Sequence, residues 1–268
     1  KKISGDIANK FLKLFKMRKS KIEWTEETWN PSAGCTKVSS GCKNCYAELM
    51  AIRLQGTGAV GYKNGFKFNI VPSRLNDPYK RKKPTVFFVN SMSDIFHEDM
   101  PEEYLDRIFE VIENTPHHTY QILTKRADRM YDYFSKNPVP SNVWLGVTVE
   151  NQQQGLPRID KLRHLKAKVL FLSVEPLLED LGQINLKNID WVIVGGESGH
   201  KARPMDKEWV VNIKQQCENE GVAFFFKQWG AWGEDRIKRK KKLNGKELDG
   251  KIWQQYPAII EQQFEVIL

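Results

Sequence analysis

A chain of 268 residues that is 40% hydrophobic, 28% charged and 11% aromatic is too apolar for a disordered tail, lacks a collagen-like repeat, and has too few cysteines for a small disulfide scaffold. No apolar run reaches the ~18–20 residues that a bilayer span requires and no secretory leader pattern is visible, so a cytosolic protein is expected. The net charge of +9, from 42 Lys+Arg against 33 Asp+Glu, makes a polyanion such as nucleic acid a natural partner without requiring one.

In chain order, residues 1–21 (KKISGDIANKFLKLFKMRKSK) read as a short basic amphipathic arm, either a solvated or added leader or a segment that touches phosphates. The barrel-forming region is expected over 22–233, with a metal loop at 31–46. In that loop Cys35, Cys42 and Cys45 fall in a C-x6-C-x2-C spacing among Gly34, Ser39, Ser40 and Gly41, and a helix starts near Cys45. Small residues let backbone N–H groups and thiolates converge, and Lys37 and Lys43 are expected to lower the thiol pKa values. In a reducing compartment such clustering points to metal or redox chemistry, not to disulfides. A structural zinc ion usually takes four protein ligands; His97 or His200 could complete the set, although a packed or capping role is the commoner one for a histidine such as His97. A [4Fe–4S] cluster held by three cysteines leaves one iron open for a cofactor or substrate. Cys217 lies far off on a predicted helix and is expected in the core.

From residue 84 onward one plan repeats: a short apolar strand, a polar cluster, then usually a helix. The strands are predicted at 85–89, 119–123, 143–147, 169–172, 191–194 and 222–226, with helices near 101–114, from 127, up to His164, and near 206–220. Alternating strands and helices predict a parallel sheet covered on both faces, hence an α/β fold: a partial or complete (β/α) TIM-like barrel of about seven units. A Rossmann-like open sheet is the runner-up, but its Gly-x-Gly-x-x-Gly fingerprint is absent. Functional groups should gather where the strands end, at Ser91, Ser93 and Asp94, Lys125 and Arg126, Thr148 and Glu150, Ser173 and Glu175, and Gly195, Gly196 and Glu197. Residues 234–268 are expected to hold the basic run Arg236–Lys242, a small β-hairpin around Asn244-Gly245 and Asp249-Gly250, and a tail. Basic residues beside Trp229 and Trp232 suit single-stranded nucleic acid.

The stretch from Ile22 to Pro31, followed by Gly-Cys and Gly-Cys-Lys-Asn-Cys-Tyr-Ala, resembles a phage and bacterial three-Cys-motif family of largely unknown function. So do Ser91–His97, Leu123–Arg126, Gly146–Glu150, Ser173–Leu177, Gly195–Gly199, Phe226–Gly230 and Leu248–Gly250, and the resemblance covers about 22–257. That family is similar to a divergent branch of the radical S-adenosylmethionine (SAM) enzymes, of the spore photoproduct lyase-like kind. The resemblance implies a [4Fe–4S] cluster on Cys35, Cys42 and Cys45, SAM on its open iron, an external electron donor, and a 5′-deoxyadenosyl radical that takes hydrogen from the substrate. DNA is the favoured substrate, with repair or modification of a base that must leave the stack. The usual C-x3-C-x2-C spacing is replaced here by a first gap of six, with Asn44 in the customary aromatic place. On this reading Asp94, Lys125, Glu150 and Glu175 are the candidate catalytic residues. Ser91, Ser93, Arg126, Thr148, Ser173, Gly195, Gly196 and Glu197 are the candidate cofactor contacts. The competing expectations are a zinc- or cluster-stabilised nucleic-acid-binding protein without radical chemistry, and a radical SAM enzyme acting on a small molecule or peptide.

Overall fold

The computed structural model describes residues 20 and 22–258. The predicted basic arm, apart from Ser20, and most of the tail lie outside the described residues. Seven strands, β1 (Glu27–Trp29), β4 (Val86–Val89), β5 (Thr119–Thr124), β6 (Val143–Thr148), β7 (Val169–Val174), β8 (Trp191–Gly195) and β9 (Ala223–Gln228), form one sheet in that spatial order. Every neighbouring pair is parallel. Sequential order with all-parallel pairing makes a partial (β/α) barrel, because each crossover returns the chain to the same end of the sheet. A short antiparallel pair, β2 (Ser32–Ala33) with β3 (Asn69–Ile70), lies outside it.

The strands are buried on both faces, as their continuous apolar runs predict. Alternate residues feed two cores. Val143, Leu145 and Val147 of β6 point outward to helices α2 (Glu102–Glu113), α3 (Ala127–Lys136), α4 (Gln152–Leu162) and α5 (Lys207–Glu220). Trp144 of β6 points inward, where it joins Trp24, Phe88, Phe171, Trp191 and Phe225 in an aromatic floor. The helices follow their sequence cues. Helix α2 buries Tyr104, Leu105, Ile108, Phe109, Val111 and Ile112 on one stripe, with Glu102 and Glu103 against the positive end of its dipole. Helix α4 is capped by the Asn151 side chain, which accepts from the Gln154 N–H at 2.8 Å. Helix α5 stops at Gly221 in the left-handed region.

Cys217 is fully buried, as expected of a core thiol. The C-terminal hairpin pairs β10 (Glu247–Leu248) with β11 (Lys251–Ile252) around Asp249-Gly250 alone. Asn244-Gly245 is no second hairpin turn. It ends the four-residue helix α6 (Lys241–Asn244), and the Asn244 side chain is tied to the Gly230 carbonyl at 3.0 Å. No helix among the described residues is long and apolar enough to cross a membrane.

Candidate active site

Parallel strands deliver their carboxyl ends to one rim, and the cysteine loop crosses that rim from β4 to β8. Gly34 starts it, pairing with Ser93 beyond β4. The Cys35 thiol receives the Arg126 guanidinium at 3.5 Å beyond β5. Ser39 donates to Glu150 beyond β6, and Ser40 is held by the side chains of Gln154 and Asn151. Asn44 donates to Glu197 at 3.0 Å and to the Lys201 carbonyl at 2.9 Å beyond β8. The chain then enters helix α1 (Tyr46–Gly56), and Tyr46 donates back to the Ser91 carbonyl. All three loop thiols are free and half-buried. Asn44, at the position where the resemblance expects an aromatic ring, is therefore one of the ties between loop and rim.

The predicted rim residues divide by what they hold. Asp94 is saturated: it accepts from the Thr124 hydroxyl at 2.7 and 2.9 Å, the Phe96 and Lys125 N–H groups and Arg126. Arg126 in turn bonds Glu98 at 2.7 Å and Thr36 at 2.7 Å, so it positions the loop around Cys35. Glu150 is fully buried against Arg158 at 2.6 Å. Burial alone would raise its carboxyl, but Lys125 and Arg158 overcome that and hold it below the ordinary value. Glu197 forms a two-pronged pair with Arg203, at 2.6 and 3.0 Å, and is likewise held low against its own burial. Glu175 and Lys227 pair across the inner face, although β8 runs between their strands. They meet because Gly195 carries no side chain; a Cβ there would lie 3.4 Å from Glu175.

Ser91 donates to Asn30 at 3.1 Å, and Ser93 to the Gly34 carbonyl at 2.7 Å. Thr148 and Ser173 are buried register partners on the concave face. Gly196 has a packing reason: a Cβ would stand 1.9 Å from the Trp229 carbonyl. Lys125 has no ion-pair partner among the described residues, though Glu150 feels its charge.

One sequence expectation needs correction. The Cys35 thiol is pushed up to about 11, not lowered, because burial and Asp94 outweigh Arg126. Lys37 is engaged with Glu48 at 2.8 Å. His97 takes the packed, hydrogen-bonded role expected of it in preference to that of a ligand. Its Nδ1 accepts from the Asp99 N–H at 3.1 Å, which leaves Nε2 to donate to Thr36 at 3.2 Å, and its ring stacks on Phe68 at 4.1 Å. Burial and Arg126 keep it below the usual histidine value. Buried His118 is also held low, by burial and by His117. The sign follows from proton linkage: the unfolded chain binds these protons first, so stability is complete above about pH 6.5 and lost as pH falls below it. Thermal melts should therefore drop between pH 7.5 and 5.5, and His118→Asn should flatten part of that slope. An unchanged slope would remove His118 from the account.

The partners Arg158, Arg203 and Lys227 carry no role in the sequence reading. Only Lys227 left a usable trace, as a cation two residues after inward-facing Phe225 on a strand.

Residues 19–257 match a family described as "Protein of unknown function (DUF5131)". No curated protein matches the chain. Solved structures that resemble it include spore photoproduct lyase complexed with dinucleoside spore photoproduct, at 16% identity and a TM-score of 0.44. Another is a doubly substituted mutant of that lyase with bound AdoMet and dinucleoside spore photoproduct, at 16% identity and a TM-score of 0.43. In both cases 75% of this chain is covered but only 63% of the lyase, so the chain spans less than two thirds of their length.

Proposed function

The chain belongs to the DUF5131 family of proteins of unknown function, and from its site we propose that it is a radical SAM enzyme acting on nucleic acid. The observation that carries this reading is a single loop bearing three free, half-buried thiols across the carboxyl rim of a parallel half-barrel, from β4 to β8. A mononuclear zinc site with bonds of about 2.3 Å draws its thiolates to within about 4 Å of one another. Among the described residues no group of three or more His, Cys, Asp or Glu is already gathered for a metal ion of either kind, so the choice rests on ligand number. A [4Fe–4S] cluster gives each of three thiolates its own iron and leaves the fourth iron open, which suits a loop with three cysteines. When bound, cluster and SAM together would supply reductive cleavage of the sulfonium and hence hydrogen abstraction.

The chain's own residues provide the holding. Cys35, Cys42 and Cys45 would ligate the cluster, and Arg126, fixed by Asp94 and Glu98, would keep a positive charge beside Cys35. Lys125 would take the SAM carboxylate, being the rim cation without an ion pair among the described residues. Thr148 and Ser173 would offer hydroxyls to a ribose from the concave face. Glu150 and Glu197, locked to Arg158 and Arg203, would position the loop without contacting the cofactor.

Nucleic acid is favoured by the charge of +9 and by the basic run beside the rim. There Trp232 is tied to the Ala202 carbonyl at 2.7 Å, with Lys238 5.3 Å above its ring. Arg236 and Arg239 pair with Asp206 and Asp235, whereas Lys240 and Lys242 have no ion-pair partner among the described residues. The direct test is formation of 5′-deoxyadenosine from SAM by anaerobic, dithionite-reduced protein. Its absence from cluster-loaded protein overturns the radical reading. Binding to single-stranded DNA should weaken steeply with salt, and Lys240→Ala and Lys242→Ala should each reduce the log–log slope by about one. Salt-independent binding would remove nucleic acid from the proposal.

A further inference from the structure

Beneath the cysteine loop the concave face holds one donor–acceptor pair that the loop itself does not use. Glu175 and Lys227 are 15% and 19% exposed, and Lys227 occupies one carboxylate oxygen, Oε2. The other oxygen, Glu175 Oε1, is buried with no hydrogen-bond partner among the described residues. A buried acceptor left empty is costly, so an N–H or O–H donor is expected to meet it. Lys227 keeps further N–H donors beside that acceptor. Its ammonium stands 6.0 Å from the Trp24 ring, which belongs to the aromatic floor. Bare Gly195 lies alongside, and its missing Cβ is what lets the Glu175 side chain lie across β8 toward Lys227.

The pair as a whole is neutral. A phosphate would have to displace Glu175, whereas a neutral planar edge with an N–H next to a carbonyl satisfies both halves at once. We propose that Glu175 and Lys227 recognise the lactam edge of a nucleobase, Glu175 Oε1 accepting the ring N–H and Lys227 donating to the adjacent carbonyl. Guanine, hypoxanthine, thymine and uracil present that edge; adenine and cytosine do not. Lys241 of α6 lies close enough to the pair for Lys227 and Glu175 to act on its charge, and it has no ion-pair partner among the described residues. The assignment rests on the nucleic-acid reading above and narrows it to a base class.

The test is fluorescence anisotropy of the anaerobically purified full chain with labelled octamers of deoxythymidine, deoxyinosine, deoxyadenosine and deoxycytidine. Wild type should bind the thymidine and inosine octamers at least about fivefold more tightly than the other two, the discrimination expected of one good two-point base contact. Glu175→Gln presents an amide that can donate or accept, so the preference should collapse to within about twofold while binding of the adenosine octamer is kept. A misfolded variant would lose all four ligands together, so it cannot imitate this pattern. Free thymidine and inosine, but not adenosine, should displace the thymidine octamer, and displacement at equal concentration would assign the edge to a free nucleoside instead of a strand. Equal affinity for all four octamers, or a preference that survives in Glu175→Gln, overturns the base assignment alone. Absence of binding to any octamer overturns it together with the nucleic-acid reading.

Discussion

Glu150→Ala is expected to cost about 3–5 kcal/mol, the usual penalty for removing one partner of a buried ion pair. Arg158 is only 8% exposed and directs Nη1 at both Glu150 and the Thr148 carbonyl, at 2.6 and 2.7 Å. Without the carboxylate, its charge stays in a site closed by helix α4 and the rim. For a chain of this size the melting temperature should fall by the order of 10 °C. Glu150→Gln keeps an acceptor of the same shape and should fall by less. The loss also has a direction in pH. A carboxyl held below its unfolded value stabilises the fold above that value, and the contribution fades as pH falls through the folded one. The difference between wild type and Glu150→Ala should therefore shrink in acid. Equal melting of the two proteins at pH 7 would show that Arg158 is hydrated and that the rim is open. Because Ser39 and Gly41 rest on Glu150, the same variant should also hold iron poorly.

Gly34→Ala should separate metal binding from folding. Gly34 has φ +81°, and an added Cβ would stand 2.3 Å from the Lys67 carbonyl, a backbone atom that cannot swing aside. The neighbouring Cys35 N–H is bonded to the Phe66 carbonyl at 3.0 Å, which fixes the two strands of the loop together. A left-handed backbone costs an L residue roughly 1–2 kcal/mol, and overpacking adds about 1–3 kcal/mol. That energy can be released by moving the cysteine loop away from the rim. Most of the bound iron should go while the barrel, whose strands do not pass through Gly34, still melts cooperatively. Gly58→Ala is the control: φ is +68°, but an added Cβ meets nothing within 4 Å, so strain is introduced without crowding. Retention of full iron by Gly34→Ala would mean that the loop has another stable path.

The barrel was legible because strand alternation and rim chemistry follow from local pattern. Trp144 and Phe171 alternate with Leu145 and Leu172 on adjacent strands, and a polar cluster after each apolar run marks the carboxyl end. What could not be read was pairing between elements. Glu150, Glu175 and Glu197 look equivalent in sequence, each following a strand. They differ only through Arg158 on the next helix, Lys227 two strands away and Arg203 on the following loop. The Asn244-Gly245 dipeptide carries a hairpin signal as strong as Asp249-Gly250, yet tertiary contact with Gly230 places it at a helix end. His97 is expected to pack, but its partners were not legible, since Phe68, Thr36 and the Asp99 backbone reach it from separate segments.

The most direct measurement is iron, acid-labile sulfide and zinc content with a visible spectrum on anaerobically purified wild type and Cys42→Ala. A brown protein with about four iron and four sulfide per chain, lost in Cys42→Ala, is the predicted result. A colourless protein carrying one zinc ion under the same handling would contradict the radical mechanism.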